Sequence, residues 1–192
     1  MSKYIQRTQR NEPTLQEKLR ERLAQKFPQS PHAEIQYPST SAILADKSGS
    51  MNSWLGANFS KMDSLRKILK DFSGARTFQF DYLCEELPPG KEVDDPSGGT
   101  DLHIALEVLK THGISHMVLI TDGHPSSPGA ALKAAIGLRI DIFYVGPQPA
   151  PEFLAKLCAQ TGGSYGNVSL SFPKVLSEGI KDRLRLGAGR TE

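Results

Sequence analysis

The sequence predicts a doubly wound, three-layer α/β sandwich, in which helices cover both faces of a central, mostly parallel sheet. Short apolar runs such as Ala42–Ala45 and Met117–Ile120 alternate with amphipathic segments of helical spacing. Parallel strands are buried on both faces, so they read as continuous apolar runs rather than as alternating ones. The length of 192 residues suits one well-packed domain of ordinary size.

Each element follows from its local pattern. Apolar runs bounded by polar or turn residues predict strands, and apolar residues three or four apart, followed by a glycine, predict helices. The predicted strands are 41–46, 77–83, 117–120, 140–145 and a short one near 165–168. The predicted helices are 13–27, 62–72, 100–112, 129–136, 150–160 and 173–186.

The chain divides into three segments. Residues 1–40 form a polar segment with the amphipathic helix 13–27 and a proline-rich connector, 41–186 form the α/β domain, and 187–192 form a flexible tail. The apolar face of the N-terminal helix must be buried, either on its own domain or on a partner, and we favour its own domain.

Composition excludes several classes of protein. The net charge of +2 indicates neither a nucleic-acid nor a membrane partner. The polar N-terminus lacks the apolar region of a secretory signal, and no stretch is long and apolar enough to span a bilayer. Two cysteines are too few for a disulfide framework. We therefore expect a cytoplasmic protein.

The most informative feature is the segment that follows the first predicted strand. Asp46, Ser48 and Ser50 occupy alternate positions, and alternate residues of an extended segment point the same way. Carboxylate and hydroxyl oxygens suit Mg²⁺ or Ca²⁺. The alternative interpretation is an ordinary Ser/Gly turn whose aspartate caps the next helix.

Two later loops carry oxygen donors to the same edge. Thr100 follows the acidic loop 85–99, and Asp122 follows the strand that ends near Ile120. In an open parallel sheet, ligands bind at the carboxyl ends of the strands, where the strand order reverses. We expect the oxygens of all three loops to meet there.

The three motifs together resemble a von Willebrand factor type A (vWA) domain. They are Asp46-x-Ser48-x-Ser50-Met51, Gly98-Gly99-Thr100-Asp101-Leu102 and Ile120-Thr121-Asp122-Gly123, and the resemblance covers about residues 41–185. It implies a metal-ion-dependent adhesion site (MIDAS), with Ser48, Ser50 and Thr100 as hydroxyl ligands. Asp46 and Asp122 would hold the ion directly or through waters.

The resemblance also implies a function. The ion would be Mg²⁺, with Mn²⁺ or Ca²⁺ as alternatives, and one of its coordination positions would accept an Asp or Glu carboxylate from a protein partner. A compact intracellular member of prokaryotic or viral type is expected, acting as an adaptor for a separate AAA+ ATPase or within a stress or tellurite-resistance complex.

Four residues near the motifs are candidates for a partner-binding rim. Trp54 either covers the end of the sheet or, if exposed, anchors an interface. Lys47 should point away from the ion, either into solvent or towards an acidic partner. Asp95, the third candidate, and its neighbour Asp94 belong to a solvated loop, unless one of them reaches and occludes the metal or helps to hold a second cation. His124 is read as loop structure or a partner contact.

Catalytic motifs in the sequence would indicate an enzyme rather than a binding module. The chain has no phosphate-binding G-x-x-x-x-G-K-[ST] loop, and 162–166 lacks the dinucleotide fingerprint. Ser48 lies between Lys47 and Gly49 and so lacks the G-x-S-x-G elbow of a serine hydrolase. The alternatives are a metal-dependent hydrolase or phosphatase, and a structural module with a degenerate metal site.

Overall fold

The structure, a computed structural model, describes residues 37–55, 59–147, 149–167, 170 and 172–186. All of these belong to the second of the two compact units into which the chain divides, Gln36–Glu192. The predicted helix 13–27, most of the connector up to residue 40 and the tail 187–192 lie outside the described residues, so their predictions stand untested.

A single six-stranded sheet forms the centre of the unit, with its strands in the order β3-β2-β1-β4-β5-β6. Neighbouring strands are parallel except β2 and β3, which are antiparallel. The strands are β1 Ser41–Asp46, β2 Arg76–Phe80, β3 Cys84–Glu86, β4 His116–Thr121, β5 Arg139–Tyr144 and β6 Tyr165–Asn167.

Helices connect the strands as predicted for a doubly wound fold. Those described are α1 Lys61–Leu69, α2 Leu102–Thr111, α3 Pro128–Ala134, α4 Glu152–Thr161 and α5 Pro173–Leu186. Short 3₁₀ turns occur at Gly49–Asn52 and Lys70–Phe72. Among the described residues, no helix combines the length and apolar character that crossing a bilayer requires.

Two hydrophobic cores, one on each face of the sheet, confirm the three-layer architecture. Along β1, Ala42 and Leu44 belong to one core while Ile43 and Ala45 belong to the other. Helices α2, α3 and α4 supply the first core, and α1 and α5 supply the second. Because side chains alternate across a strand, an entirely apolar strand is needed to serve both layers.

One predicted strand is wrong in its extent. The alternating segment 77–83 was expected to form a single strand, but β2 ends at Phe80. The chain then turns, and Cys84–Glu86 returns antiparallel to β2 as an edge strand that the sequence did not indicate. The turn is stabilised by the side chain of Asp81, which accepts a hydrogen bond from the amide of Leu83 at 3.0 Å.

The reversal of strand order falls beside β1. This strand pairs with β2 on one side and with β4 on the other, so the connections that leave β1 and β4 diverge to opposite sides. Their carboxyl ends therefore border the crevice where ligands bind in this class of fold.

Candidate metal centre

Two aspartates lie at the carboxyl ends of the neighbouring strands β1 and β4. Asp46 ends β1, and Asp122 directly follows β4. The pairing of Ala45 with Ile120 sets Asp46 beside Thr121, whose hydroxyl donates to Asp46 Oδ2 at 2.5 Å. Both aspartates are buried. The strand register thus brings together two carboxylates that are distant in sequence.

The serines of the first motif connect these carboxylates. The backbone amide of Ser48 donates to Asp46 Oδ1 at 2.8 Å, and the hydroxyls of Ser48 and Ser50 lie 3.1 Å apart. The hydroxyl of Ser50 donates to Asp122 Oδ1 at 2.6 Å. Four of the five predicted ligands, Asp46, Ser48, Ser50 and Asp122, therefore form one continuous set of contacts.

Thr100, the fifth predicted ligand, faces the same place. Its hydroxyl and that of Ser50 lie 3.8 and 3.9 Å from the position that a Cβ on Gly123 would occupy. The carbonyl of Thr100 also accepts a hydrogen bond from the amide of Ser126 at 2.9 Å, which ties the second loop to the third. The structure thus brings all three predicted loops to one edge of the sheet.

The two glycines before Thr100 are required by a neighbouring aromatic ring. Gly98 has φ +64°, and a Cβ on it would lie 2.8 Å from the ring of Tyr82. A Cβ on Gly99 would lie 2.7 Å from the same ring. Larger residues would clash here, so the Gly-Gly pair lets the loop pass under Tyr82 and deliver Thr100.

Asp81 is a positioning residue that the sequence reasoning missed. Its carboxylate accepts from Ser97 Oγ at 2.9 Å and pairs with Lys47 Nζ at 3.1 Å. Its carbonyl accepts from the amide of Asp101 at 2.8 Å. These contacts hold both ends of the loop that carries Thr100. The available signal was its place directly after β2, at the same sheet edge as Asp46.

The surroundings of Asp46 raise the pKa of its carboxyl. Burial raises the pKa of its carboxyl, and hydrogen bonds from Thr121 and Ser48 oppose this only in part, while nearby Asp122 raises it further. The pKa rises to about 6. A buried carboxylate with a second one beside it is a place where a bound cation would be strongly favoured.

An ammonium group already contacts the other carboxylate. Lys61 Nζ, from the first residue of α1, donates to Asp122 Oδ2 and forms an ion pair with it. This contact could not be predicted from the sequence, because the length of the loop between Ser50 and α1 leaves the position of Lys61 relative to the site undetermined.

The predicted rim residues occupy different surroundings. Trp54 is 70% exposed, so the alternative in which it covers the end of the sheet is wrong. Lys47 is engaged by Asp81 rather than free in solvent. His124 is exposed immediately after Gly123. A contact between any of these residues and a partner stays a prediction.

The acidic loop forms contacts of its own. Asp94 bonds with Gln79 of β2 and pairs with Lys91. The carboxylate of Asp95 is almost fully exposed and pairs with Arg66 of α1 at 2.8 Å. Both carboxylates therefore have cationic or amide partners away from the predicted ligands, and a place for Asp95 in the rim stays a prediction.

The donor set fits a hard divalent cation. Within the described residues, no cluster of three or more His, Cys, Asp or Glu side chains could hold a metal ion. The candidate centre instead combines two carboxylates with three hydroxyls, and such all-oxygen sets suit Mg²⁺, Mn²⁺ and Ca²⁺. Ser50 is exposed, and Thr100 and Gly123 are partly exposed, so this side of the candidate centre is open to solvent.

Comparison with known proteins supports the fold. No family model and no curated protein matches the sequence. Among solved structures, a von Willebrand factor type A protein from Catenulispora acidiphila matches with a TM-score of 0.58 and 18% identity, over 75% of this chain and 41% of that one.

A second match is the proximal thread matrix protein 1 from the mussel byssus, in a structure with a zinc-occupied MIDAS motif. It has a TM-score of 0.58 and 15% identity, over 78% of this chain and 48% of that one. The chain thus spans less than half the length of each of these two proteins. At these identities the likeness establishes the fold, and the chain has the fold of a vWA domain.

Proposed function

We propose that this protein is a metal-dependent protein-binding module. A divalent cation, Mg²⁺ by preference, would be held by Asp46 and Asp122 together with the hydroxyls of Ser48, Ser50 and Thr100. The observation that carries the proposal is the convergence of these side chains at the reversal of strand order, in a fold of the vWA type.

The carboxylates and the hydroxyls at the site would have different roles in holding the ion. Asp46 and Asp122 balance the charge of the ion, while the neutral hydroxyls complete its oxygen shell without cancelling that charge. A cation held in this way offers a position that a carboxylate oxygen of a partner can take. Asp46 is fixed by Ser48 and Thr121, so it holds its orientation whether or not the partner is bound.

The partner would be a protein that presents an Asp or Glu. Trp54, exposed on the segment between Ser50 and α1, is the side chain best suited to give such a partner apolar contact area. The proposed biological setting is an adaptor for a separate AAA+ ATPase or a stress-response complex in the cytoplasm, and it rests on the family resemblance alone.

Calorimetric titration with Mg²⁺, Mn²⁺ and Ca²⁺ tests the metal site. We expect wild-type protein to bind one ion. Asp46→Ala or Thr100→Ala should weaken metal binding by about 100-fold or more, because substitution of a residue that only supports a ligand already weakens it by about 10- to 100-fold. Asp182→Ala, an exposed aspartate of α5, is the matched control and should bind like the wild type.

Selection of random displayed peptides tests the binding function. With Mg²⁺ present, we expect enrichment of peptides that contain Asp or Glu, and loss of that enrichment with chelator or with Asp46→Ala. Replacement of the acid by Asn or Gln in a selected peptide should abolish capture. Metal-dependent hydrolysis of a phosphoester by the protein, lost in Asp46→Ala, would instead favour the hydrolase alternative.

A further inference from the structure

Lys61 balances the charge of a proposed metal ligand from within the protein. Its ammonium group pairs with Asp122 Oδ2, and the two side chains are 11% and 1% exposed. The pair is therefore largely removed from water, where ionic attraction is weakly screened. The other oxygen of Asp122 accepts from Ser50, so both oxygens of this carboxylate have a partner.

The position of Lys61 is fixed by the start of its helix. The hydroxyl of Ser60 accepts from the amide of Asp63 at 3.1 Å, and the carboxylate of Asp63 accepts from the amide of Ser60 at 2.8 Å, which forms a capping box. The amide of Lys61 donates to the carbonyl of Ser53 at 2.9 Å. These bonds set the first turn of α1 against the loop that follows Ser50.

Two lysines that follow Lys61 along the chain, Lys67 and Lys70, behave differently. Lys70 pairs with Glu92, but both side chains are more than half exposed. Lys67, two turns along α1 from Lys61, is exposed. Exposed lysines of this kind contribute little, because water competes for their charge. The enclosure of Lys61 against a buried aspartate distinguishes it from these two.

We infer that Lys61 is an internal counter-cation that competes with the divalent ion for Asp122 and lowers the metal affinity of the site. The inference rests on the proposed function. Asp122 cannot serve an ammonium and a divalent cation at one oxygen without strong repulsion between the two positive charges. The lysine must therefore leave Asp122 before that oxygen can take an ion.

The ammonium of Lys61 supplies positive charge to this pair of carboxylates from within the protein. Without a cation, two neighbouring carboxylates would repel each other, and the ammonium of Lys61 reduces that repulsion. An ion at either oxygen of Asp122 meets the positive charge of Lys61 at close range, so the site fills only at a higher cation concentration. Lys61 would thus set the cation concentration at which the module can capture a partner.

Calorimetric titration of four proteins with Mn²⁺ and Mg²⁺ tests the inference. Lys61→Met keeps most of the apolar stem but removes the charge, Lys61→Arg keeps the charge, and Lys67→Met is the matched control on the same helix. We expect Lys61→Met to bind the ion on the order of 10-fold more tightly, as expected when one nearby unit charge is removed. The other two variants should stay within about twofold of wild type, the change expected for exposed or charge-conserving substitutions.

Thermal unfolding in chelator gives an independent measurement and shows whether each variant folds. Lys61→Met should unfold at a lower temperature than the wild type in chelator, and saturating Mn²⁺ should stabilise it by a larger increment than it stabilises the wild type. Should Lys61→Met fail to fold, Lys61→Gln replaces it in both measurements.

The outcomes separate the inference from the proposed function. Equal or weaker binding by Lys61→Met, in a protein whose binding is lost in Asp122→Asn, would overturn the role of Lys61 and leave the metal site intact. Binding that Asp122→Asn does not weaken, or no binding by the wild type and Lys61→Met alike, would overturn the metal site itself.

Discussion

Asp46 and Asp141 are both buried aspartates of the central sheet, but their surroundings have opposite effects on their charge. Asp141, in β5, accepts from the amide and hydroxyl of Ser164 at 2.8 and 2.5 Å. Its other oxygen lies 2.8 Å from His116 Nε2. Asp46 accepts one amide and one hydroxyl and lies near a second carboxylate, Asp122.

The pKa values of the two carboxyls follow from these partners. Burial raises the pKa of Asp141, but the hydrogen bonds from His116 and Ser164 outweigh burial and lower it to about 2. For Asp46, burial outweighs its hydrogen bonds and the pKa rises to about 6. Asp141 is satisfied by its protein partners, whereas Asp46 has no cationic partner among the residues that the structure describes.

The two aspartates differ as a structural carboxylate and a candidate metal ligand. His116 also bonds through Nδ1 to the hydroxyl of Ser41 at 3.2 Å, so a buried polar chain links β1, β4 and β5 near their amino-terminal ends. At the opposite ends of β1 and β4, Asp46 and Asp122 border solvent-accessible loops. Hydrogen bonds stabilise the fold at one end of these strands, and the oxygens of the candidate metal centre gather at the other.

Asp141→Asn should produce the largest loss of stability. It removes one charge from a buried, hydrogen-bonded pair and leaves His116 poorly matched, at a cost of about 3–5 kcal/mol in the free energy of unfolding. Urea denaturation in chelator measures the change. The metal affinity of the folded variant should match that of the wild type. A loss below about 1 kcal/mol would remove the distinction between the two carboxylates.

The pH dependence of stability should show opposite signs for the two groups. The pKa of Asp46 is raised in the folded protein, so folding binds a proton between about pH 4 and pH 6, and stability decreases by about 2–3 kcal/mol as pH rises through that window. The pKa of Asp141 is lowered, so its contribution is complete above about pH 4 and is lost as pH falls towards about 2.

Urea denaturation of metal-free protein between pH 3 and pH 8 resolves the two groups. The difference between wild type and Asp46→Asn isolates the first group, and the difference between wild type and Asp141→Asn isolates the second. If the free energy of unfolding changed with pH in the same direction in both difference curves, the predicted opposite signs for Asp46 and Asp141 would be wrong.

Ser164→Ala should cause a smaller loss of stability than Asp141→Asn. It removes one hydroxyl donor to a buried carboxylate, which should cost about 2 kcal/mol, as is usual for a bond to a charged group. Ser177→Ala is the matched control, because Ser177 Oγ donates at 2.9 Å to Asp71, which is exposed and can be rehydrated. Equal losses in the two variants would show that burial of the acceptor does not matter.

Asp46→Asn should produce the smallest change and one of opposite sign. In chelator at pH 7, the substitution removes an unfavourable buried charge, and we expect the free energy of unfolding to rise by about 1 kcal/mol, with part of the gain lost to a poorer fit of the Ser48 amide. Thermal unfolding with and without Mn²⁺ measures it. Destabilisation in chelator similar to that of Asp141→Asn would show that Asp46 is a structural residue.

Much of the fold was predictable from the sequence because strands that are buried on both faces have a simple pattern of continuous apolar residues. The centres of β1 and β4 are apolar because both faces are covered, β5 is largely apolar apart from Arg139 and Asp141, and this signal does not depend on distant contacts. The edge strand β3 was missed, since Cys84–Glu86 is short and partly polar and exists through its pairing with β2. The boundary at Phe80 depends on the turn that Asp81 stabilises.

For the candidate metal centre too, the sequence predicted one part and the tertiary structure decided another. The sequence alone determined the alternation of strands and helices, and it placed Asp46, Ser48, Ser50, Thr100 and Asp122 after apolar runs whose ends share one edge of a parallel sheet. Only the tertiary structure decided which charges meet there. Lys61 reaches Asp122, Lys47 turns to Asp81, and Thr121 donates to Asp46, because strand register and a helix cap set these long-range contacts. Local patterns carry no information about such pairs, so their effect on charge appears only in three dimensions.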